Sequence, residues 1–265
     1  MEPSRPILIF DSGVGGLSVL EAVRRALPDE TYRYACDNAG FPYGPKPEAE
    51  LLARVDTVLQ ALVAAVDPKL LIVACNTAST AVLPRLRERF AFPVIGVVPA
   101  IKPAAQLSET GVIGLLATPG TVTRRYTDDL IRDFAAHCDV LRVGSRELVL
   151  LAEAKLRGEP VDPELIREIL APFFQDPARS VDTIVLGCTH FPLLKEELQA
   201  AAPQVRHWVD SGEAIARRAQ DLLREPSTQA GPAKVLFTRM DAGVDALRLA
   251  LAGHGLEEVG VVPVP

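Results

Sequence analysis

Two apolar runs without polar interruption, Leu70-Leu71-Ile72-Val73-Ala74 and Ile184-Val185-Leu186, lead into Cys75-Asn76-Thr77 and Gly187-Cys188-Thr189-His190. A strand that is apolar on both faces must be covered on both faces, which is the position of an inner strand in a parallel sheet sandwiched between helices. Each run therefore delivers a thiol, followed by small polar groups, to the end of a buried strand.

The rest of the chain fits around these two strands. Residues 7–10 form a short apolar strand closed by Asp11-Ser12-Gly13-Val14-Gly15-Gly16, after which Leu17, Leu20, Val23 and Leu27 recur at helical spacing. A strand over 32–37 runs into a loop at 38–45 that is dense in turn formers and carries Tyr43 and Gly44. A helix over 48–66, the strand ending at Cys75, a helix to 89, a strand over 93–98 and a helix over 99–107 follow. This alternation predicts an α/β fold with a mostly parallel sheet flanked by helices. Ligands bind beyond the carboxyl ends of such strands, where Asp11, Cys75 and Cys188 all fall.

At residue 112 the pattern begins again. The strand 112–117 ends in Thr118-Pro119-Gly120-Thr121, a turn placed as Asp11-Ser12-Gly13 is placed in the first half. Each half thus supplies one hydroxyl-bearing turn and one cysteine, the mark of a two-copy internal repeat. Between Thr121 and Cys188 the pattern predicts helices over 124–136, 146–157 and 163–174 and a strand over 140–143. Glu153 sits on the second of these helices beside Leu148, Val149, Leu151 and Ala152, which points to burial nearby. After Cys188, Pro192 suits the first position of a helix, and would leave Cys188 and His190 near its positive end. The tail has a strand over 206–209, a helix capped by Asp210-Ser211-Gly212-Glu213, a linker over 225–232, and two strands flanking a last helix. Having no cysteine motif, this tail is expected to complete the first sheet.

Composition narrows the functions. A net charge of -6 with no Lys/Arg run argues against nucleic-acid binding, which needs a basic face. An anionic ligand would have to rely on local donors such as helix N-termini. The start of the chain does not read as a signal peptide, and no apolar run approaches the roughly 20 residues of a membrane span. A cytoplasmic protein with reduced thiols is expected, and Cys36, Cys75, Cys138 and Cys188 show no C-x-x-C pair. A zinc shell of Cys36, Cys75, Cys188 and His190 lacks the usual local pairs. The glycine turn departs from the dinucleotide fingerprint at Ser18, and no Walker lysine follows. A Cys188-His190 hydrolase would be unusual, because nucleophile and base mostly come from distant segments. Neither metal nor cofactor is expected, and Cys36 and Cys138 read as structural.

What remains is the chemistry of two matched thiols. A thiol of ordinary pKa, about 8.5, is mostly protonated at neutral pH, and a helix N-terminus or a protonated histidine lowers that value. One thiolate and one thiol on opposite sides of a carbon acid can remove a proton from one face and return another to the other. The result is inversion of configuration without a cofactor.

The segments Asp11-Ser12-Gly13-Val14-Gly15-Gly16, Pro42-Tyr43-Gly44, Ala74-Cys75-Asn76-Thr77-Ala78-Ser79 and Leu186-Gly187-Cys188-Thr189-His190-Phe191-Pro192 closely resemble those of the glutamate racemases, within the cofactor-independent aspartate/glutamate racemase superfamily. Gly96-Val97-Val98-Pro99-Ala100, Ala117-Thr118-Pro119-Gly120-Thr121 and Asp210-Ser211-Gly212-Glu213 extend the likeness. The resemblance implies two similar α/β domains, 1–98 plus 207–265 and 99–206, with glutamate held in the cleft between them. It implies that Cys75 acts on D-glutamate and Cys188 on L-glutamate, assisted by Asp11 and His190 respectively. Asp11, Ser12, Tyr43, Gly44, Asn76, Thr77, Thr118, Thr121, Thr189 and His190 would bind the substrate, with Glu153 as an auxiliary. It further implies a homodimer that makes D-glutamate for peptidoglycan. A racemase of aspartate or another amino acid, and a non-catalytic regulator on the same fold, are the alternative readings.

Overall fold

The structure is a computed structural model that describes residues 5–223, 227 and 230–264. β1 (Ile7–Asp11) is buried at every position, as an apolar strand with neighbours on both edges must be. The glycine turn after it leads into α1 (Leu17–Ala26), then β2 (Tyr32–Cys36), α2 (Glu48–Val66), β3 (Leu70–Val73), α3 (Asn76–Arg89) and β4 (Val94–Gly96). The chain continues through α4 (Ile101–Leu107), β5 (Val112–Ala117), α5 (Pro119–Val122), α6 (Arg125–Phe134), β6 (Asp139–Gly144), α7 (Glu147–Leu156) and α8 (Pro163–Leu170). It ends with β7 (Thr183–Leu186), α9 (Lys195–Ala201), β8 (His207–Val209), α10 (Gly212–Leu222), β9 (Lys234–Phe237), α11 (Ala242–Gly253) and β10 (Glu258–Val261).

The strands form two sheets, ordered β10-β9-β2-β1-β3-β4 and β6-β5-β7-β8, and every pairing in them is parallel. The expected α/β fold with two similar parallel sheets is borne out. Contacts divide the chain into Met1–Val97 with Gly212–Pro265, and Val98–Ser211.

In the first unit, Leu51, Val55, Val58, Leu59 and Leu62 make one face of α2, at the spacing of a helical stripe. That stripe packs with Leu8, Phe10, Leu71 and Val73, alternate residues that share one face of β1 and β3. In the second unit Ile101, Ala104 and Ala105 of α4 cluster with Ile113, Leu115 and Val185.

The two sheets share more than strand order. Ala74 N–H donates to Phe10 O at 2.7 Å, and Gly187 N–H donates to Leu116 O at 2.8 Å. Asp37 N–H donates to Asp11 O at 3.0 Å, and Ser145 N–H to Ala117 O at 2.9 Å. With Phe10 opposite Val73 and Leu116 opposite Leu186, the register makes Cys75 equivalent to Cys188, Ser12 to Thr118, Asp11 to Ala117, and Asp37 to Ser145. β9 and β10 are additions at the β2 edge of the first sheet.

Two expectations need correction. The strand at 207–209, assigned by the sequence to the first sheet, pairs with β7 in the second. A three-residue edge strand carries no pattern that names its partner. Pro192 does not start a helix: it is the second residue of a 3-10 turn, Phe191–Leu194, after which α9 begins. The expected linker at 225–232 lies in part outside the described residues. No helix among the described residues is long and apolar enough to cross a membrane.

Candidate active site

The sequence-derived candidates form two clusters, one at the carboxyl edge of each sheet. In the first unit β1 ends at Asp11, which is fully buried. Ser12 donates to Asp11 Oδ1 from its backbone N–H at 2.5 Å and from its hydroxyl at 3.2 Å, and that hydroxyl lies 3.8 Å from Cys75 Sγ. Ser12 therefore stands between the carboxylate and the thiol.

Cys75 is the residue from which α3 starts, so the thiol lies at the positive end of a helix of 14 residues. Ser79 fixes this corner by donating its hydroxyl to Val73 O at 2.7 Å and accepting Val97 N–H at 3.0 Å. Its own N–H donates to Cys75 O at 2.8 Å. Asn76 and Thr77 are each 4% exposed, and Asn76 Nδ2 has no hydrogen-bond partner among the described residues. A buried amide with an unused donor suits a site that receives a ligand.

Tyr43 is buried, with its ring centroid 6.4 Å from that of Phe10. Its hydroxyl donates to Asp37 Oδ2 at 2.6 Å. Burial, then the neighbouring Asp37 charge, pushes the phenol far above its ordinary range. The Tyr43 hydroxyl proton is thus committed to Asp37.

In the second unit β5 ends at Ala117 and Thr118 precedes α5. Thr118 Oγ1 lies 3.0 Å from Thr121 Oγ1, and Thr127 donates to Thr121 O at 2.6 Å, which pins the turn. Cys188 Sγ lies 3.8 Å from His190 Nδ1, and His190 Nε2 lies 2.9 Å from Glu153 Oε1. Glu153 Oε2 is in turn 4.0 Å from Arg157 Nη1. Burial disfavours a charged His190, but the hydrogen bonds it donates to Cys188 and Glu153, with their charges, outweigh it and hold its pKa well above the usual histidine range. Thr189, between the cysteine and the histidine, is buried.

The structure therefore brings together Asp11, Ser12 and Cys75, and separately Cys188, His190 and Glu153. Cys36 and Cys75 belong to the first unit, whereas Cys188 and His190 belong to the second. Among the described residues no group of three or more His, Cys, Asp or Glu side chains is arranged to hold a metal ion. Sequence reasoning passed over Asp37, Arg54 and Thr238. The available signal was position: Asp37 follows β2 at the same sheet edge as Asp11.

Comparison with known proteins agrees with this geometry. Residues 15–219 match the family model described as Asp/Glu/Hydantoin racemase. The chain is 50% identical over 266 aligned residues to a glutamate racemase of Salmonella enteritidis, covering 99% of this chain and 94% of that protein. Among solved structures, glutamate racemase from Escherichia coli in complex with L-glutamate and the activator UDP-MurNAc-ala superposes with a TM-score of 0.93 at 48% identity, covering 98% of this chain and 99% of that one. Glutamate racemase from Thermus thermophilus, in complex with beta-chloro-D-alanine, gives 0.75 at 32% identity, covering 100% and 98%. The chain belongs to the Asp/Glu/hydantoin racemase family and, within it, to the glutamate racemases.

Proposed function

We propose that this chain interconverts L- and D-glutamate by passing the α-proton between Cys75 and Cys188 without a cofactor. The observation that carries the reading is the register equivalence of the two cysteines at the ends of equivalent strands, each beside groups suited to stabilising a thiolate. With D-glutamate, the Cys75 thiolate takes the α-proton and becomes a thiol, leaving carbanionic charge on the substrate. The Cys188 thiol then gives its proton to the opposite face, becoming a thiolate and completing L-glutamate. With L-glutamate the roles reverse.

The α-proton is a very weak acid, so fixed donors must stabilise the carbanion, each 1.36 kcal/mol of stabilisation being worth about tenfold in rate. The buried, unused amide of Asn76, the hydroxyls of Thr77, Thr118, Thr121 and Thr189, and the Gly44 backbone are the proposed donors to the amino acid's polar groups. Asp11 and Ser12 serve the Cys75 side, and His190 with Glu153 serves the Cys188 side. The proposal includes cytoplasmic D-glutamate supply for peptidoglycan, in keeping with the UDP-MurNAc-ala activator bound to the Escherichia coli relative. It also includes a homodimer, on the family resemblance alone.

The test is incubation of each glutamate enantiomer in deuterated water, followed by circular dichroism and mass detection, with aspartate run alongside. Both enantiomers of glutamate should converge on the racemate with deuterium at Cα, and aspartate should turn over far more slowly. Cys75→Ala and Cys188→Ala should each lose at least ~10³-fold, the scale of removed acid–base catalysis. Absence of inversion, or unchanged rates in either variant, defeats the reading.

A further inference from the structure

We infer that Thr238, in the C-terminal tail just after β9, is a positioning residue for the loop that carries Tyr43 and Gly44; this rests on that loop serving the substrate as proposed above. Asp37 follows β2 directly and is fully buried, so its carboxylate must be compensated by donors. It accepts the Tyr43 hydroxyl at 2.6 Å, Arg54 Nε at 2.9 Å, Arg54 Nη2 at 2.7 Å and the Thr238 hydroxyl at 2.7 Å. Burial opposes the ionised form, but the donors from Arg54, Tyr43 and Thr238 outweigh it and hold Asp37 below the usual carboxylate range. Tyr43 and Arg54 are near in sequence, whereas Thr238 is 201 residues away.

Thr238 both donates and accepts. While its hydroxyl donates to Asp37 Oδ1, its oxygen accepts Ala39 N–H at 3.1 Å, so one group joins the loop backbone to the carboxylate that holds Tyr43. Beside it, Asn38 pairs with the Arg239 backbone in both senses: Nδ2 donates to Arg239 O at 2.7 Å, and Oδ1 accepts Arg239 N–H at 3.1 Å. This continues the β2–β9 pairing, in which Thr238 N–H donates to Cys36 O at 3.2 Å. Gly40 completes the wrap, its N–H donating to Asp37 O at 3.0 Å; a side chain there would collide with the Asp37 carboxylate. The tail strand thus grips three consecutive residues of the loop.

Without the Thr238 hydroxyl, Asp37 keeps Arg54, but Ala39 N–H loses its acceptor and the loop loses the link to the tail. A loop that must be ordered on binding weakens ground state and transition state alike, which raises KM and leaves kcat nearly unchanged. Thr238→Val keeps the shape and removes the hydroxyl, whereas Thr238→Ser keeps the hydroxyl. The valine variant should raise KM for both enantiomers roughly tenfold with kcat within about twofold, and the serine variant should behave as wild type. Asn38→Ala leaves the Asp37 carboxylate fully paired and should raise KM in the same direction by less; it decides the matter if the valine variant does not fold. Wild-type turnover measured alongside separates the two readings, because no turnover by the wild type defeats the racemase proposal itself. Unmoved KM in the valine and Asn38 variants, a serine variant as impaired as the valine one, or lower kcat and melting temperature at constant KM would overturn the inference.

Discussion

The Cys75 and Cys188 clusters occupy equivalent positions in equivalent sheets, yet they surround the thiol differently. Behind Cys75 lies α3, a helix of 14 residues, with Ser12 and Asp11 alongside. At the position of Asp11 the second sheet has Ala117, and the segment after Cys188 is a four-residue 3-10 turn. A turn that short supplies little of the dipole that a full helix does. What stands there instead is a whole charge, the His190 imidazolium held by Glu153. On the proposed mechanism one task, lowering the cost of a thiolate, would be met once by aligned peptide dipoles and once by a protonated side chain. Peptide dipoles do not titrate and an imidazolium does, so, beyond the titration of the thiols themselves, an added sensitivity to alkaline pH is expected on the Cys188 side.

The most severe way to break this comparison is to remove each assistant in turn. Glutamate enantiomers have equal free energy in water, so the equilibrium constant is one and kcat/KM must fall by the same factor in both directions. The asymmetry can therefore show only in how kcat and KM divide the loss. His190→Asn should lower kcat on the order of 10²-fold with L-glutamate, where the proposal makes Cys188 the base, and much less with D-glutamate. Asp11→Asn should show the mirror pattern. Steady-state kinetics from both enantiomers decides it, and equal kcat losses in both directions for both variants would mean that neither group belongs to one thiol.

A milder change sharpens the same contrast. Glu153→Gln keeps a hydrogen-bonding group near His190 Nε2 but removes the carboxylate charge that raises its pKa. Losing that charge lowers the imidazolium pKa, so the alkaline limb of kcat with L-glutamate should move to lower pH, while the acid limb stays in place. Stability follows the same sign. Because the folded pKa of His190 is raised, the stabilisation it brings is complete below the unfolded value of about 6.5 and is lost as pH rises through the folded one. The variant should lose stability relative to wild type at neutral pH and less at higher pH, as measured by thermal melts across pH. An unmoved alkaline limb would remove Glu153 from the Cys188 side.

How far the sequence could show this arrangement depended on the range of the interaction concerned. The strands leading to Cys75 and Cys188 were legible because an unbroken apolar run has one stable setting, the inside of a covered sheet. The repeat was legible in the matching turns at Ser12 and Thr118, which the register makes equivalent. The partner of β8 was not, since the three residues His207–Val209 form an edge strand with no pattern to name it. Helix burial hinted at Glu153, but its contact with His190 spans 37 residues and is fixed by tertiary packing. Thr238 was still further from legibility: a single hydroxyl 201 residues from its carboxylate leaves no local trace.

The smallest effect tests the backbone beneath the two thiols rather than the groups beside them. The residue before Cys75 is Ala74, fully buried, whereas the equivalent residue before Cys188 is Gly187. A methyl on Gly187 would stand 3.0 Å from Ala117 Cβ, 3.0 Å from Leu115 Cδ1 and 3.3 Å from Leu116 O. Two of these neighbours are backbone or a Cβ fixed to it, so they can yield only if β5 and β7 shift. Ala117 is itself the residue that replaces Asp11 in the repeat, so the second sheet is crowded where the first has room for both a carboxylate and a methyl. Gly187→Ala should therefore cost about 1–3 kcal/mol of stability, the usual range for overpacking a filled core. Ala74→Gly should cost about 1 kcal/mol, through backbone entropy and one lost buried methyl. Denaturant unfolding of both variants measures the difference, and a Gly187→Ala protein as stable as wild type would show that the second sheet can open where its register says it cannot.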